Sequence, residues 1–308
     1  MRHLCTTMFG AALLAAAPLK AQSPQPQPER PRETIRLGKV TIKRISSRKN
    51  FAAFMAYLEK KGYAVAPLRT PASIEDMVTL VREGEVNLVL ESPYGAVRLM
   101  DEAKLDPVLL REKSGAKDYS AVLFVPRKSP VKELSDLVGK VVVFEDKGST
   151  SSYFLPRRIL EKAGLDLVHS QVPVAGKVSY WFSLDDVRSI RLVAEDGRFA
   201  GGGIDKSKVQ DDERFRMLTP ESAKVPRHVV LAGRDLDHRR LCEVLLAMKE
   251  DAEARQALED MLTPTGFSKL PGDARRYLDE EVRDALGLRK QAREPDRERK
   301  VPTGGPGR

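Results

Sequence analysis

Apolar residues in the central part of the chain fall into two alternating patterns. One is the short, nearly unbroken run, as in IRLGKVTI at 35–42, 63–68, VNLVL at 86–90, 107–110, 119–126, 140–145, 198–204 and 228–233. Runs of this kind predict strands, and those with almost no polar residue predict strands buried on both faces of a parallel sheet. The other pattern recurs every three or four residues. Phe51, Phe54, Met55 and Leu58 share one helical face, with Asn50 as the expected N-cap and Gly62 as the stop. Ile74, Met77, Val78 and Val81 make a second stripe that starts at a capping-box-like Ser73 with Asp76 and ends near Gly84. Pro93 suits the first turn of a third helix. Further helices are predicted over 149–163, 184–196, 238–249, 251–262 and 273–286. Strands alternating with helices predict a parallel or mixed sheet covered on both faces, with ligands bound outside the carboxyl ends of the strands. No internal repeat with a clear period is present.

The two ends depart from this pattern. Met1-Arg2-His3 precedes an apolar run from Met8 to Leu19 and then Lys20-Ala21. A basic start followed by a run too short to span a bilayer predicts a secretory signal peptide over 1–21. Residues 22–33 are polar and Pro-rich and read as a linker, and 288–308 are nearly devoid of apolar side chains and read as a disordered basic tail. The ends change the meaning of the net charge of +9. The signal holds Arg2 and Lys20, the linker is neutral, and the tail has seven basic residues against Glu294, Asp296 and Glu298. The body carries the remaining small excess, which argues against nucleic acid as partner. Cys5 leaves with the signal and Cys242 remains alone, so no internal disulfide is expected.

The segment richest in chemistry is 135–164, SDLVGKVVVFEDKGSTSSYFLPRRILEKAG. A strand leads into Gly148-Ser149-Thr150-Ser151-Ser152, and a helix follows. The first N–H groups of a helix lack intrahelical partners and, with the dipole and neighbouring hydroxyls, form an anion site. A phosphate, phosphonate, sulfonate or carboxylate would suit it. The turn lacks the Gly-Lys-Ser/Thr of a nucleotide P-loop and the G-x-S-x-G of a nucleophile elbow. Pro156 should bend this helix or confine it to its first two turns.

These residues resemble the substrate-binding component of phosphate/phosphite/phosphonate-type ABC transporters. The resemblance lies in Gly148, Ser149, Thr150, Ser151, Tyr153 and Pro156, and it extends to Glu85-Val86-Asn87-Leu88, Tyr119–Val125, Gly201-Gly202-Gly203-Ile204-Asp205, Val229–Ala232 and Thr265-Gly266-Phe267. It covers about residues 34–285. It implies an α/β type II periplasmic binding protein fold, with two α/β lobes joined by two crossover strands and a ligand cleft between them. Lobe one is expected over 34–124 plus 230–287 and lobe two over 125–229. The implied function is periplasmic capture of a small anionic or zwitterionic solute by a monomer, which delivers it to an ABC transporter permease without bond chemistry and without cofactor or metal.

Ser149, Thr150 and Ser151 are the leading ligand residues, as donors to an anionic group. Tyr94, with Glu91 and Ser92, stands where the family places an aromatic from lobe one, with simple packing as the alternative. Asp205 ends the glycine-rich strand at a position that faces a ligand in the family, or it serves as a turn residue. Lys43, Arg44 and Ser46 follow the first strand and either neutralise an anion or sit in solvent. Phosphonate binders of this type often carry Ser-His-Asp at the start of the next helix. This chain has Ser183-Leu184-Asp185-Asp186. Ser183 with Asp186 is expected to form a capping box, and Asp185, if it faces the cleft, favours a ligand with a cationic group. Trp181 either lines the cleft or packs. His169 and His228 are isolated from any metal-ligating cluster. A periplasmic ligand sensor acting on a separate signalling partner is the alternative function. An enzyme on a similar fold would need a nucleophile–base or metal constellation, and none is visible.

Overall fold

The computed structural model describes residues 33–41, 44–272 and 274–288. The expected signal, nearly all of the linker, all but the first residue of the tail, and Lys43 lie outside the described residues. In chain order the elements are β1 (Thr34–Ile35), β2 (Leu37–Gly38), α1 (Arg44–Lys60), β3 (Ala64–Val65), α2 (Ile74–Arg82), β4 (Leu88–Glu91), α3 (Pro93–Glu102), β5 (Asp106–Arg111), β6 (Asp118–Tyr119), β7 (Ala121–Pro126) and β8 (Val141–Phe144). They continue with α4 (Leu155–Lys162), β9 (Leu167–His169), β10 (Val178–Phe182), α5 (Asp186–Glu195), β11 (Phe199–Asp205), β12 (Phe215–Leu218), β13 (Val225–Pro226), β14 (His228–Ala232), α6 (His238–Ala247), α7 (Arg255–Asp260), β15 (Phe267–Ser268), α8 (Ala274–Tyr277) and α9 (Arg283–Ala285).

Two large mixed sheets result. The first has the order β15-β5-β14-β4-β2 and the second β12-β7-β11-β8-β10-β9. The chain builds most of the first sheet, passes to the second, and returns at β14. Both passages lie next to a small antiparallel ribbon in which β6 pairs with β13, Tyr119 opposite Val225. Alternate side chains explain why both sheets are covered on two faces. Leu88, Leu90, Leu109 and Val230 pack against α1 and α6, while Val89, Leu110, Val229 and Leu231 pack against α2 and α3. In the second sheet Leu123, Val125, Val142 and Phe144 face one core and Val122, Phe124, Val141 and Val143 the other. No helix among the described residues is long and apolar enough to cross a membrane.

Local signals hold at most helix ends. Ser73 caps α2 by accepting from the Asp76 N–H at 3.1 Å, and Pro93 opens α3. Gly62 and Gly84 follow α1 and α2 with φ of 89° and 72°. Two expectations fail. Asn50 lies inside α1, not at its cap, because the helix begins at Arg44 with exposed turns that no apolar stripe marks. Ser183 and Asp186 form no capping box. Asp185 caps α5 instead, accepting from the Arg188 N–H at 3.1 Å, and Leu184 adopts φ 67° to bring it there.

Pro156 determines where the helical segment after β8 changes geometry. The segment starts as a π-helical turn, Thr150–Phe154, and becomes α4 at Leu155. Proline has no N–H, so the Ser152 carbonyl that an α-helix would bond to residue 156 is left over. The Glu145 N–H takes it at 3.2 Å. Pro156 also packs against Gly203, where an added Cβ would meet Pro156 Cβ at 2.4 Å and a Phe144 ring carbon at 2.7 Å. We expect Gly203→Ala to lower stability by about 2–3 kcal/mol through overpacking. Gly197→Ala, with open space around it, should stay within about 0.5 kcal/mol of the parent. Urea denaturation of the two variants checks this, and equal effects would refute the packing account.

Candidate functional site

The carboxyl ends of the parallel strands bring the expected residues to one region. In the second sheet β8 ends at Phe144 and runs into Glu145–Gly148, β10 ends at Phe182 before the cap of α5, and β11 ends at Asp205 before Lys206–Lys208. In the first sheet β4 ends at Glu91 before α3, and β5 ends at Arg111. β14 runs the other way and begins at the same edge, with His228 opposite Arg111 and Val229 opposite Glu91.

Hydrogen bonds join the two edges. The Tyr94 N–H, from α3, donates to Thr150 Oγ1 at 3.0 Å. The Tyr94 ring stacks on Phe154 at 4.0 Å between centroids and 23° between planes. Its hydroxyl accepts from Arg98 at 2.8 Å. Arg227, just before β14, donates to Asp205 at 2.7 Å and lies 5.2 Å from the centre of the Tyr119 ring. Thr150 is buried at 2% exposure, so its hydroxyl is a structural clamp between the edges.

The serines of the turn divide the work. Ser149 Oγ caps the π-helical turn, accepting from the Ser152 N–H at 3.1 Å. Ser152 Oγ, fully buried, donates to Asp186 at 2.7 Å. The Gly148 N–H donates to Asp146 at 2.6 Å. Ser151 Oγ has only a 3.4 Å contact with Ser152 Oγ. The backbone N–H groups of Thr150 and Ser151 open the helical segment and lack intrahelical partners. Ser151 and these two amides are the donors the turn leaves available.

The charges around the turn are unevenly paired. Lys39 meets Glu91 at 3.4 Å, Arg227 meets Asp205, and Lys208 pairs with Asp186. Arg111, 3% exposed, donates to Thr263 Oγ1 at 2.8 Å, to the Met261 carbonyl and to His228 Nδ1 at 3.3 Å. Burial, then the nearby cations Lys113, Arg111, Lys39 and Arg227, hold His228 well below the ordinary histidine range. It is neutral at physiological pH. Burial, then Lys39, Arg111 and Lys208, push the Lys113 ammonium down to about 8. On the other side of the cleft, burial, then the Asp186 and Asp146 carboxylates, push Glu145 up to about 7.

The remaining expected residues are placed as follows. Ser92 is the N-cap residue of α3. Its hydroxyl makes no cap bond, and its N–H donates to Glu91 at 2.8 Å. Asp205 is 3% exposed and spends its oxygens on Arg227, Ser207 N–H and Ser207 Oγ. Asp185 caps α5. Arg44 opens α1 and Ser46 is exposed on it. Trp181 packs on Phe199 at 5.9 Å with Arg188 over its ring, and His169 packs on Tyr180 and Phe182. No group of three or more His, Cys, Asp or Glu among the described residues is placed to hold a metal. Lys39, Lys113, Lys208, Arg227 and Glu145 were not among the expected residues. Lys113 and Lys208 each follow a strand by a few positions, so the rule that ligands bind at strand ends was the signal available for them.

Glu145 provides a pH test of this electrostatic picture. A carboxyl raised in the folded state takes stability from the fold as pH climbs from its unfolded value of 4.5 to about 7, because the unfolded chain gives up the proton first. Above that window the penalty is constant. Glu145→Gln should therefore match the parent near the bottom of the window and exceed it by about 1–2 kcal/mol at slightly alkaline pH. Denaturation at both ends of the window checks this, and a pH-independent difference would refute it.

Comparison with known proteins agrees with this architecture. A family model for the periplasmic substrate-binding protein of phosphonate ABC transporters matches residues 44–274. The structure of XAC2383 from Xanthomonas citri bound to chloride ion is 25% identical, with a TM-score of 0.74, covering 82% of this chain and 97% of that one. The same protein bound to ATP gives 25% identity, a TM-score of 0.71, and coverage of 83% and 97%. PhnD1 from Prochlorococcus marinus, in complex with methylphosphonate, shares the fold at 19% identity and a TM-score of 0.62, with coverage of 82% and 97%. The two-sheet architecture is the type II periplasmic binding protein fold, with two α/β lobes and a cleft between them. The chain belongs to the periplasmic substrate-binding proteins of phosphonate ABC transporters, a family that binds and delivers solutes and is not enzymatic.

Proposed function

We propose that this chain captures a small solute carrying a phosphonate or phosphate group between its lobes and presents it to the permease of an ABC transporter. The observation that carries the reading is the Gly148–Ser152 turn at the end of β8. It keeps the Ser151 hydroxyl and the Thr150 and Ser151 amides available at a helix start, where an anion is favoured. From lobe one Ser92 contributes a hydroxyl that makes no cap bond, and Tyr94 fixes Thr150 in place through its amide. The ATP bound to XAC2383 and the methylphosphonate bound to PhnD1 are consistent with an anionic phosphorus ligand here. The sensing alternative draws no support from the family match.

In this reading lobe one is built on the first sheet and lobe two on the second. The expected limits at 124/125 and 229/230 fall inside β7 and β14, so the hinge is better placed at the β6–β13 ribbon a few residues away. Residues 1–21 direct export, and the protein works as a monomer.

Ser151→Ala separates binding from stability. Its hydroxyl has little internal role, so unfolding should change by less than about 0.5 kcal/mol. Affinity for methylphosphonate should fall about tenfold, the loss of roughly one hydrogen bond to a charged group. Titration calorimetry with methylphosphonate, inorganic phosphate and phosphite provides the readout. Failure of the parent to bind any of the three would overturn the proposed function.

A further inference from the structure

Among the described residues Lys113 is a cation without a counter-ion. Lys39, Lys208 and Arg227 each have a carboxylate, and Arg111 is held by neutral acceptors. Among the described residues Lys113 makes neither an ion pair nor a side-chain hydrogen bond. Neighbouring Glu112 pairs instead with Lys117, at 3.8 Å. Glu91 is the carboxylate that acts favourably on Lys113, and it already serves Lys39.

The backbone also fixes this lysine in place. It opens a 3-10 turn, Lys113–Gly115, in which Ser114 and Gly115 have φ of 57° and 75°. The Glu112 N–H donates to the Gly266 carbonyl at 3.1 Å, and the Ser114 N–H to the Leu262 carbonyl at 2.7 Å. The loop is thus pinned on both sides of Lys113. Lys39, Arg111 and Lys208 all act on the ammonium unfavourably. A desolvated ammonium among other cations is costly unless an anion offsets it. On the same edge His228, opposite Arg111 in the sheet, is held neutral by burial and neighbouring cations, and Glu91 is already paired with Lys39.

We propose that Lys113, with Lys39 and His228 beside it, forms a second anion subsite on the lobe-one side of the cleft, so that the preferred solute carries two anionic groups. A phosphonate or phosphate occupies the Ser149–Ser151 turn, and a carboxylate or second phosphate meets Lys113. The inference rests on the solute-binding reading of the cleft and specifies its ligand class.

Titration calorimetry with three probes tests it: methylphosphonate, 3-phosphonopropionate and 2-aminoethylphosphonate. The parent should bind the phosphonocarboxylate at least about tenfold tighter than the aminophosphonate. Lys113→Gln should reduce that preference about tenfold, and Lys113→Arg should retain it. The Lys113→Gln protein should melt no lower than the parent in the absence of ligand, since it loses a repulsive charge. A preference for the aminophosphonate, or an equal loss for methylphosphonate and phosphonocarboxylate in Lys113→Gln, would overturn the second subsite while leaving phosphonate binding intact. Failure of all three probes to bind the parent would overturn the underlying reading, and the subsite with it.

Discussion

The site depends on an amide hydrogen that proline does not have. Pro156 cannot bond the Ser152 carbonyl, and the Glu145 N–H takes that carbonyl instead. This bond folds the end of β8 back onto the helical segment that follows. It sets Ser149 as a cap and sends the Ser152 hydroxyl to Asp186. It also leaves Ser151 the least committed of the hydroxyls in this turn. The same proline packs on Gly203, so the turn is tied to the strand that delivers Asp205.

Part-buried hydrogen bonds tie the edges of the two large sheets together. Tyr94 to Thr150 joins α3 to the helical turn after β8, and Arg227 to Asp205 ties the returning strand to β11. Between these contacts the two edges differ in charge. Lys113 follows β5 with its ammonium pushed down to about 8 by burial and neighbouring cations, and Glu145 follows β8 with its carboxyl pushed up to about 7 by burial and neighbouring carboxylates. Burial strengthens these interactions relative to water.

Much of the fold was readable in the amino-acid order. VVVF at 141–144 and VNLVL at 86–90 read as buried strands, and strands form at 141–144 and 88–91; Ser73 and Pro93 marked helix starts that the structure retains. The strands missed, β9, β10, β12, β13 and β15, are sheet edges, two-residue pairings or carry half-buried residues such as Arg216, so neither alternation nor a continuous apolar run exposed them. α1 extended past its apolar stripe because exposed turns leave no periodic trace. The Ser/Thr turn was legible because its spacing is local. Lys113, Glu145 and His228 were not, because their meaning comes from neighbours far away in sequence, such as Arg111 beside His228 and Asp186 beside Glu145.

The bond between Arg111 and His228 has a consequence for the imidazole itself. A guanidinium can only donate, so Nδ1 must offer its lone pair, and in the neutral ring the proton then resides on Nε2. Arg111 thereby selects one tautomer, and the ring's far edge becomes a fixed N–H donor. Because burial, and then the surrounding cations, keep the ring from acquiring a second proton, that donor persists across the physiological pH range. In this cleft a histidine behaves less like a titrating switch than like a rigid amide.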